Sequence, residues 1–124
     1  MGSSLLLSPS ERPEWKIDSE VFERALRNNY PEISIKRRDN PQRYFEWTIE
    51  EDGKNLEGWL FRSLDCISFD TSDGAIGADF AIFCRGFMPE EAEIILYDES
   101  YSSVLPITIR TSLQDIQDVF WPNQ

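Results

Sequence analysis

An antiparallel α+β domain is the architecture this chain should adopt. Strand-like alternation recurs between residues 33 and 69 and again between 93 and 109, with turn residues between the runs. Three segments instead carry apolar residues at helical spacing, and they fall before, between and after the strand runs. At 124 residues, 40% hydrophobic and 13% aromatic, the chain is long and apolar enough to bury one core. The expected order is α-β-β-β-β-α-β-β-α, a single domain with a sheet of about six strands and three helices.

Residues 1–14, rich in Ser and Pro, read as a flexible leader, and 15–124 as the domain. Leu5-Leu6-Leu7 is too short for a signal-peptide core and lacks a basic lead-in, and Met1-Gly2 lacks the Ser or Thr at position six that myristoylation requires. No stretch approaches the ~20 apolar residues of a membrane span. These readings place the protein in the cytoplasm.

Asp18 should cap the first helix, with Val21, Phe22, Ala25 and Leu26 on its apolar face, Ile17 stapled onto Phe22, and Pro31 as its stop. Ile33 to Lys36 alternates as a strand. Phe45, Trp47 and Ile49 alternate with Tyr44, Glu46 and Thr48, the pattern of a half-buried strand. Glu51-Asp52-Gly53-Lys54 is a hairpin turn, from which Leu56 to Phe61 returns. Ile67 and Phe69 mark a short fourth strand.

Ala75 to Gly86 is the strongest helical segment. Ile76, Phe80, Phe83 and Phe87 recur along it at four, three and four residues, the stripe of a helix laid on a sheet. Glu93 to Tyr97 and Val104 to Ile109 form a second hairpin. Ser112 and Asp115 are spaced as a capping box for a last helix, packed by Leu113, Ile116, Val119 and Phe120 and ended at Trp121-Pro122.

Twenty-three Asp and Glu stand against twelve Lys and Arg, a formal net charge of −11, and the chain has no histidine. A folded particle of that charge repels nucleic acid and anionic lipid and attracts basic surfaces. Lys36-Arg37-Arg38 with Arg43 is too short a basic patch to reverse this, and reads as the counterpart of acids such as Glu46 and Glu50. Without imidazole, neither a Ser-His-Asp nor a Cys-His device can be assembled. Asp73-Gly74-Ala75-Ile76-Gly77 lacks the Lys-Ser/Thr of a phosphate loop, and Asp65, Asp70 and Asp73 miss calcium-loop spacing. Cys66 and Cys84 read as small buried hydrophobes of a reducing compartment, and two thiols cannot alone hold zinc. The expectation is a protein without catalytic residues, cofactor or metal: a binder, not an enzyme.

The candidate contact surface follows from the turns. Tyr97-Asp98-Glu99-Ser100-Tyr101 sets two acids between two rigid aromatic side chains at a hairpin tip. Glu51, Asp52, Glu90 and Glu91 are further acids on expected turns. Converting Asp98 and Glu99 to lysine should weaken binding and leave the fold intact.

Phe80-Ala81-Ile82-Phe83-Cys84-Arg85-Gly86-Phe87-Met88-Pro89, then Glu93-Ile94-Ile95-Leu96-Tyr97-Asp98-Glu99, then Thr111-Ser112 opening a helix, form a pattern spanning residues 44 to 120. It resembles small acidic immunity proteins encoded beside bacterial polymorphic toxins. The resemblance implies a compact α+β fold without enzymatic activity, and a cognate toxin domain as the basic protein partner. The alternative is a structural or adaptor module that docks a basic subunit.

Overall fold

The computed structural model describes residues 4–37 and 39–124. Arg38 of the basic run, and the Met1-Gly2 pair, lie outside the described residues. Among these, three helices and seven strands occur in the order β1 (Leu5–Pro9), α1 (Ser19–Asn29), β2 (Ser34–Lys36), β3 (Arg43–Glu51), β4 (Lys54–Phe61), β5 (Ile67–Thr71), α2 (Gly74–Arg85), β6 (Ile94–Asp98), β7 (Val104–Ile107) and α3 (Leu113–Phe120). All strand pairings are antiparallel, in the order β2-β3-β4-β5-β1-β6-β7. The α+β expectation holds, with one strand more than the six read from the sequence.

That extra strand corrects the flexible leader. Leu5–Pro9 is the strand that joins the two halves of the sheet, pairing Leu7 with Ile67 of β5 on one side and with Leu96 of β6 on the other. Leu5 and Leu7 are buried among the core residues. Three leucines are too few for a membrane or signal segment but enough for a strand flanked on both edges.

Local chemistry places the other elements. Asp18 accepts from the backbone N–H groups of Glu20 and Val21, starting α1 where expected. Val21, however, is exposed; Phe22 and Leu26 alone of that helix are fully buried. The β3–β4 turn has Asp52 at φ 53° and Gly53 at φ 77°, the two positive angles that match the twist of a two-residue hairpin. Ser112 and Asp115 exchange bonds as a capping box at α3. At the sheet's outer edge Pro106 removes a donor from β7, which blunts that edge against further pairing.

The helices share one face of the sheet. Phe22 of α1 packs on Phe45 and Trp47 of β3, and Phe80 of α2 packs on Trp47 and on Phe69 of β5. α3 closes against α2, where Trp121 lies over Gly74 and Gly77. The inward positions in the middle of β3, β4, β5, β1 and β6 are buried, while the alternate positions point the other way.

Candidate binding surface

Alternation puts a second set of side chains on the face opposite the helices. Registers place Glu46, Trp59, Ser68, Leu6, Tyr97 and Val104 in one row across β3, β4, β5, β1, β6 and β7. The next row runs through Phe61, Cys66, Ser8, Ile95 and Pro106. Only Ser68 and Cys66, the small side chains between larger neighbours, are buried here. The helices pack on the other face, and on this one Tyr101 of the β6–β7 turn lies against Tyr97.

Where β2, β3, β4 and β5 meet, the same face forms a groove of about 440 Å³. Lys36, Arg43 and Glu46 stand at one margin, Trp59 lines it, and Glu57 and Asp70 stand beyond. Arg43 bonds Glu46 at 2.9 Å and lies 3.8 Å from the centre of the Trp59 ring. An Arg–aromatic contact at a half-exposed site contributes about 0.5–1 kcal/mol. Two of the basic side chains pair with acids: Arg43 with Glu46, as expected from the sequence, and Arg37 with Glu23 of α1, an acid the sequence reading did not name. Glu57 and Asp70 are directly opposite across β4 and β5, where like charges repel.

The eight acids and tyrosines singled out from the sequence do not form one patch. Glu51 and Asp52 lie at the β3–β4 turn, and Tyr97, Asp98, Glu99 and Tyr101 at the β6–β7 turn. Because β4, β5, β1 and β6 alternate in direction, both turns fall at the same end of the sheet. Glu90 and Glu91 precede β6 and sit at the opposite end.

At the β6–β7 turn the two acids differ in kind. The Asp98 carboxylate accepts from the Ser102 N–H at 2.8 Å, from the Ser102 hydroxyl and from the Ser100 hydroxyl at 3.3 Å. Those bonds, the Ser102 hydroxyl first, hold its carboxyl below the ordinary aspartate range. Asp98 therefore builds the turn, and its replacement by lysine cannot leave the local fold intact. Glu99 is exposed. Tyr101, at φ 58°, is 63% exposed and stacks on Tyr97 with ring centres 4.7 Å apart and planes 9° apart. Ser8 donates to the Tyr97 hydroxyl at 3.2 Å, and partial burial raises the phenol's pKa, so Tyr97 is neutral and fixed.

The cysteines are both free and buried. Cys66 belongs to the outer row and Cys84 to α2 on the opposite side, so the sheet separates them. Burial, with the nearby Asp65 charge, pushes the Cys66 thiol up to about 12, and burial alone raises Cys84 well above its ordinary value. Thiols held protonated in this way are poor nucleophiles.

No protein-family model matches this chain, and neither a curated protein nor a solved structure is similar to it.

One feature has no counterpart in the sequence reading: the apolar outer face of the sheet. Leu6 sits in a segment that reads as a leader, and Trp59 and Phe61 fall on the unremarked face of their strand. Alternation in residues 56–61 was the available signal, since Trp59 and Phe61 share a parity opposite to Leu56 and Leu60.

Proposed function

We propose that the chain is a non-enzymatic binding protein that neutralises a bacterial toxin domain by direct contact with a cationic surface on it. The observation that carries this reading is the gathering of two acidic hairpin tips at one end of a sheet in a chain of net charge −11. Exposed acids raise the rate of encounter with a basic partner by 10- to 1000-fold in order of magnitude, and oppose binding to nucleic acid. The stacked Tyr97 and Tyr101 beside them supply a rigid contact whose ordering cost is already met within the fold. The resemblance of residues 44 to 120 to toxin-associated immunity proteins is what points to a toxin domain as the class of partner.

Co-expression tests it. The chain, produced with a toxin encoded immediately upstream of its gene, should preserve viability. A folded, abundant protein that leaves the host unprotected would end the proposal. Protection without physical association, by copurification at low salt, would also end it.

A further inference from the structure

The outer face of the sheet combines three properties that together specify a partner. It is apolar along its middle: Trp59, Leu6, Tyr97 and Val104 share one row, with Phe61 and Ile95 in the next. It is partly accessible: Leu6, Trp59, Phe61, Ile95 and Tyr97 are half-buried, while Val104 on the edge strand is 47% exposed and Tyr101 at the turn 63%. It is also bounded by carboxylates. Glu57, Asp70 and Glu99 lie toward the hairpin end, and Asp65 and Glu93 toward the other; Lys36 and Arg43 stand on the same face at the β2–β3 side, where Arg43 is paired with Glu46, so carboxylates outnumber cations along the margin.

A partly accessible apolar face in a small domain marks an interaction surface. Charge decides what sits on it. A second copy would bring the same carboxylate margin and the same −11, so self-association places like charges against one another. Anionic lipid and nucleic acid meet the same repulsion. A protein surface with apolar side chains surrounded by Arg or Lys satisfies both the middle and the margin.

We infer that this face is the docking surface, and that its occupant is a protein surface on which arginine or lysine surrounds apolar side chains. The inference rests on the reading of the chain as a binder of cationic proteins, and adds where the partner sits and what anchors it. Trp59, Tyr97 and Tyr101 are the anchors, since large aromatics with few rotatable bonds lose little entropy on contact. Each is held before binding: Trp59 by Arg43, Tyr97 by Ser8, and Tyr101 by its stack on Tyr97. The hairpin acids then steer, and the sheet face holds.

The test uses the full chain, isotope-labelled, titrated with amphipathic helical peptides of about 14 residues. One is built from Arg and Leu, one from Arg and Ser, and one from Glu and Leu. The Arg-Leu peptide should shift the signals of Leu6, Trp59 and Tyr97, and bind about tenfold tighter than the Arg-Ser peptide. The Val104→Lys variant, altered at an exposed edge position, should unfold at the parent's temperature yet bind the Arg-Leu peptide about tenfold more weakly.

Shifts confined to residues 51–53 and 98–102 would overturn the docking surface while leaving cationic binding in place. Binding of the Glu-Leu peptide as tight as that of the Arg-Leu peptide would overturn the charge selection. No binding of either Arg peptide would overturn the inference. So would a dimer in sedimentation that Val104→Lys dissolves, because the occupant would then be a second copy. In the survival assay, full protection by Val104→Lys and Tyr101→Lys would leave toxin neutralisation standing and remove this face from it.

Discussion

The Nε of Arg85 donates to the carbonyl of Ile107 at 2.9 Å, joining the last turn of α2 to the edge strand β7. The rest of the guanidinium is equally committed. One terminal nitrogen donates to the carbonyls of Met88 and Pro89, the other to those of Glu90 and Ala92. A guanidinium has five N–H donors, and here five backbone carbonyls receive them. Arg85 is 2% exposed, and burial lowers its pKa while the Glu90 and Glu91 carboxylates counter that shift. Arginine nevertheless remains charged, which lysine in such a place need not.

Arg85→Met should therefore destabilise the domain by about 3 kcal/mol, because carbonyls of the α2–β6 loop and β7 lose their donor. Arg85→Lys should recover less than half of this, since an ammonium cannot reach five acceptors in a planar fork. Urea unfolding measures both. An Arg85→Met variant within about 1 kcal/mol of the parent would show that solvent satisfies those carbonyls equally well.

Gly77 faces the Trp121 ring, and a Cβ there would lie 2.8 Å from ring atom Cζ2 and 3.0 Å from Thr71 Cγ2. Neither a backbone-anchored ring nor a β-branched side chain in a strand gives way easily. Gly77→Ala should destabilise by about 1–3 kcal/mol by overpacking and lift the C-terminal segment from α2. Trp121 emission should then shift to the red. In the Trp121→Ala background the same glycine substitution should cost clearly less, because the ring contact is gone and the helix propensity of alanine is opposed by Thr71 alone. Equal costs in both backgrounds would remove the ring as the cause.

The parts of this fold that were legible in advance are local. Asp18, the Asp52-Gly53 turn and the Ser112–Asp115 box each act within four residues, so sequence spacing alone specifies them. What escaped is non-local. Leu5-Leu6-Leu7 has no neighbouring turn to announce a strand, and becomes one only through partners sixty or more residues away. Gly77 was opaque for the same reason, its partner being a ring from the C-terminal end; four of the five Arg85 acceptors are within seven residues, but an irregular loop of backbone carbonyls has no side-chain pattern to announce it. On α2 the buried face was legible at Phe80, at the small Ala78 and Ala81 beside it and at Cys84, but not at Gly74 and Gly77, where no side chain signals contact. At the candidate site, spacing located the acids but not which ends of the sheet they would occupy.

Truncation to Ser10 follows from the placement of β1. The deletion leaves β5 and β6 with facing rows of unpaired backbone groups and removes Leu5 and Leu7 from the core. Two buried leucines lost together cost about 4–10 kcal/mol, comparable with the whole stability of a small domain. The truncated chain should lack dispersed amide signals and a cooperative thermal transition. A folded truncation would restore the leader. Leu7→Ala, a milder change, should cost about 2–5 kcal/mol and keep the fold measurable.

Asp73 makes α2 sensitive to acid. Its carboxylate accepts from the Ile76 N–H at 2.9 Å and pairs with Lys54 at 3.1 Å. The helix-cap bond is the main reason its pKa lies below the ordinary value. A carboxyl depressed in the folded state stabilises fully above its unfolded pKa, about 3.9, and loses that contribution as pH falls through the lower folded value. Asp73→Ala should thus cost about 1 kcal/mol at pH 7 and progressively less below about pH 4. Parallel stability curves for parent and variant from neutral pH to pH 2 would assign the loss to something other than the charged cap.

Asp98 and Glu99, adjacent in sequence, should separate cleanly in binding. Asp98 organises the turn through Ser100 and Ser102, and its carbonyl accepts from the Tyr101 N–H at 3.0 Å. That arrangement presents Tyr101 to Tyr97 in a left-handed backbone conformation that tyrosine seldom adopts unaided. Asp98→Lys removes the acceptor, so the turn should reorder, Tyr101 should leave its stack, and the thermal midpoint should fall. Dissociation of the Arg-Leu peptide should then accelerate, because an anchor is lost. Glu99→Lys changes only surface charge. It should slow association about three- to tenfold at low salt, flatten the salt dependence, and leave dissociation and the thermal midpoint as in the parent. Stopped-flow measurements at two salt concentrations resolve the two effects. If both substitutions altered only association, Asp98 would be another steering charge, and the ordered turn would contribute nothing to holding the partner.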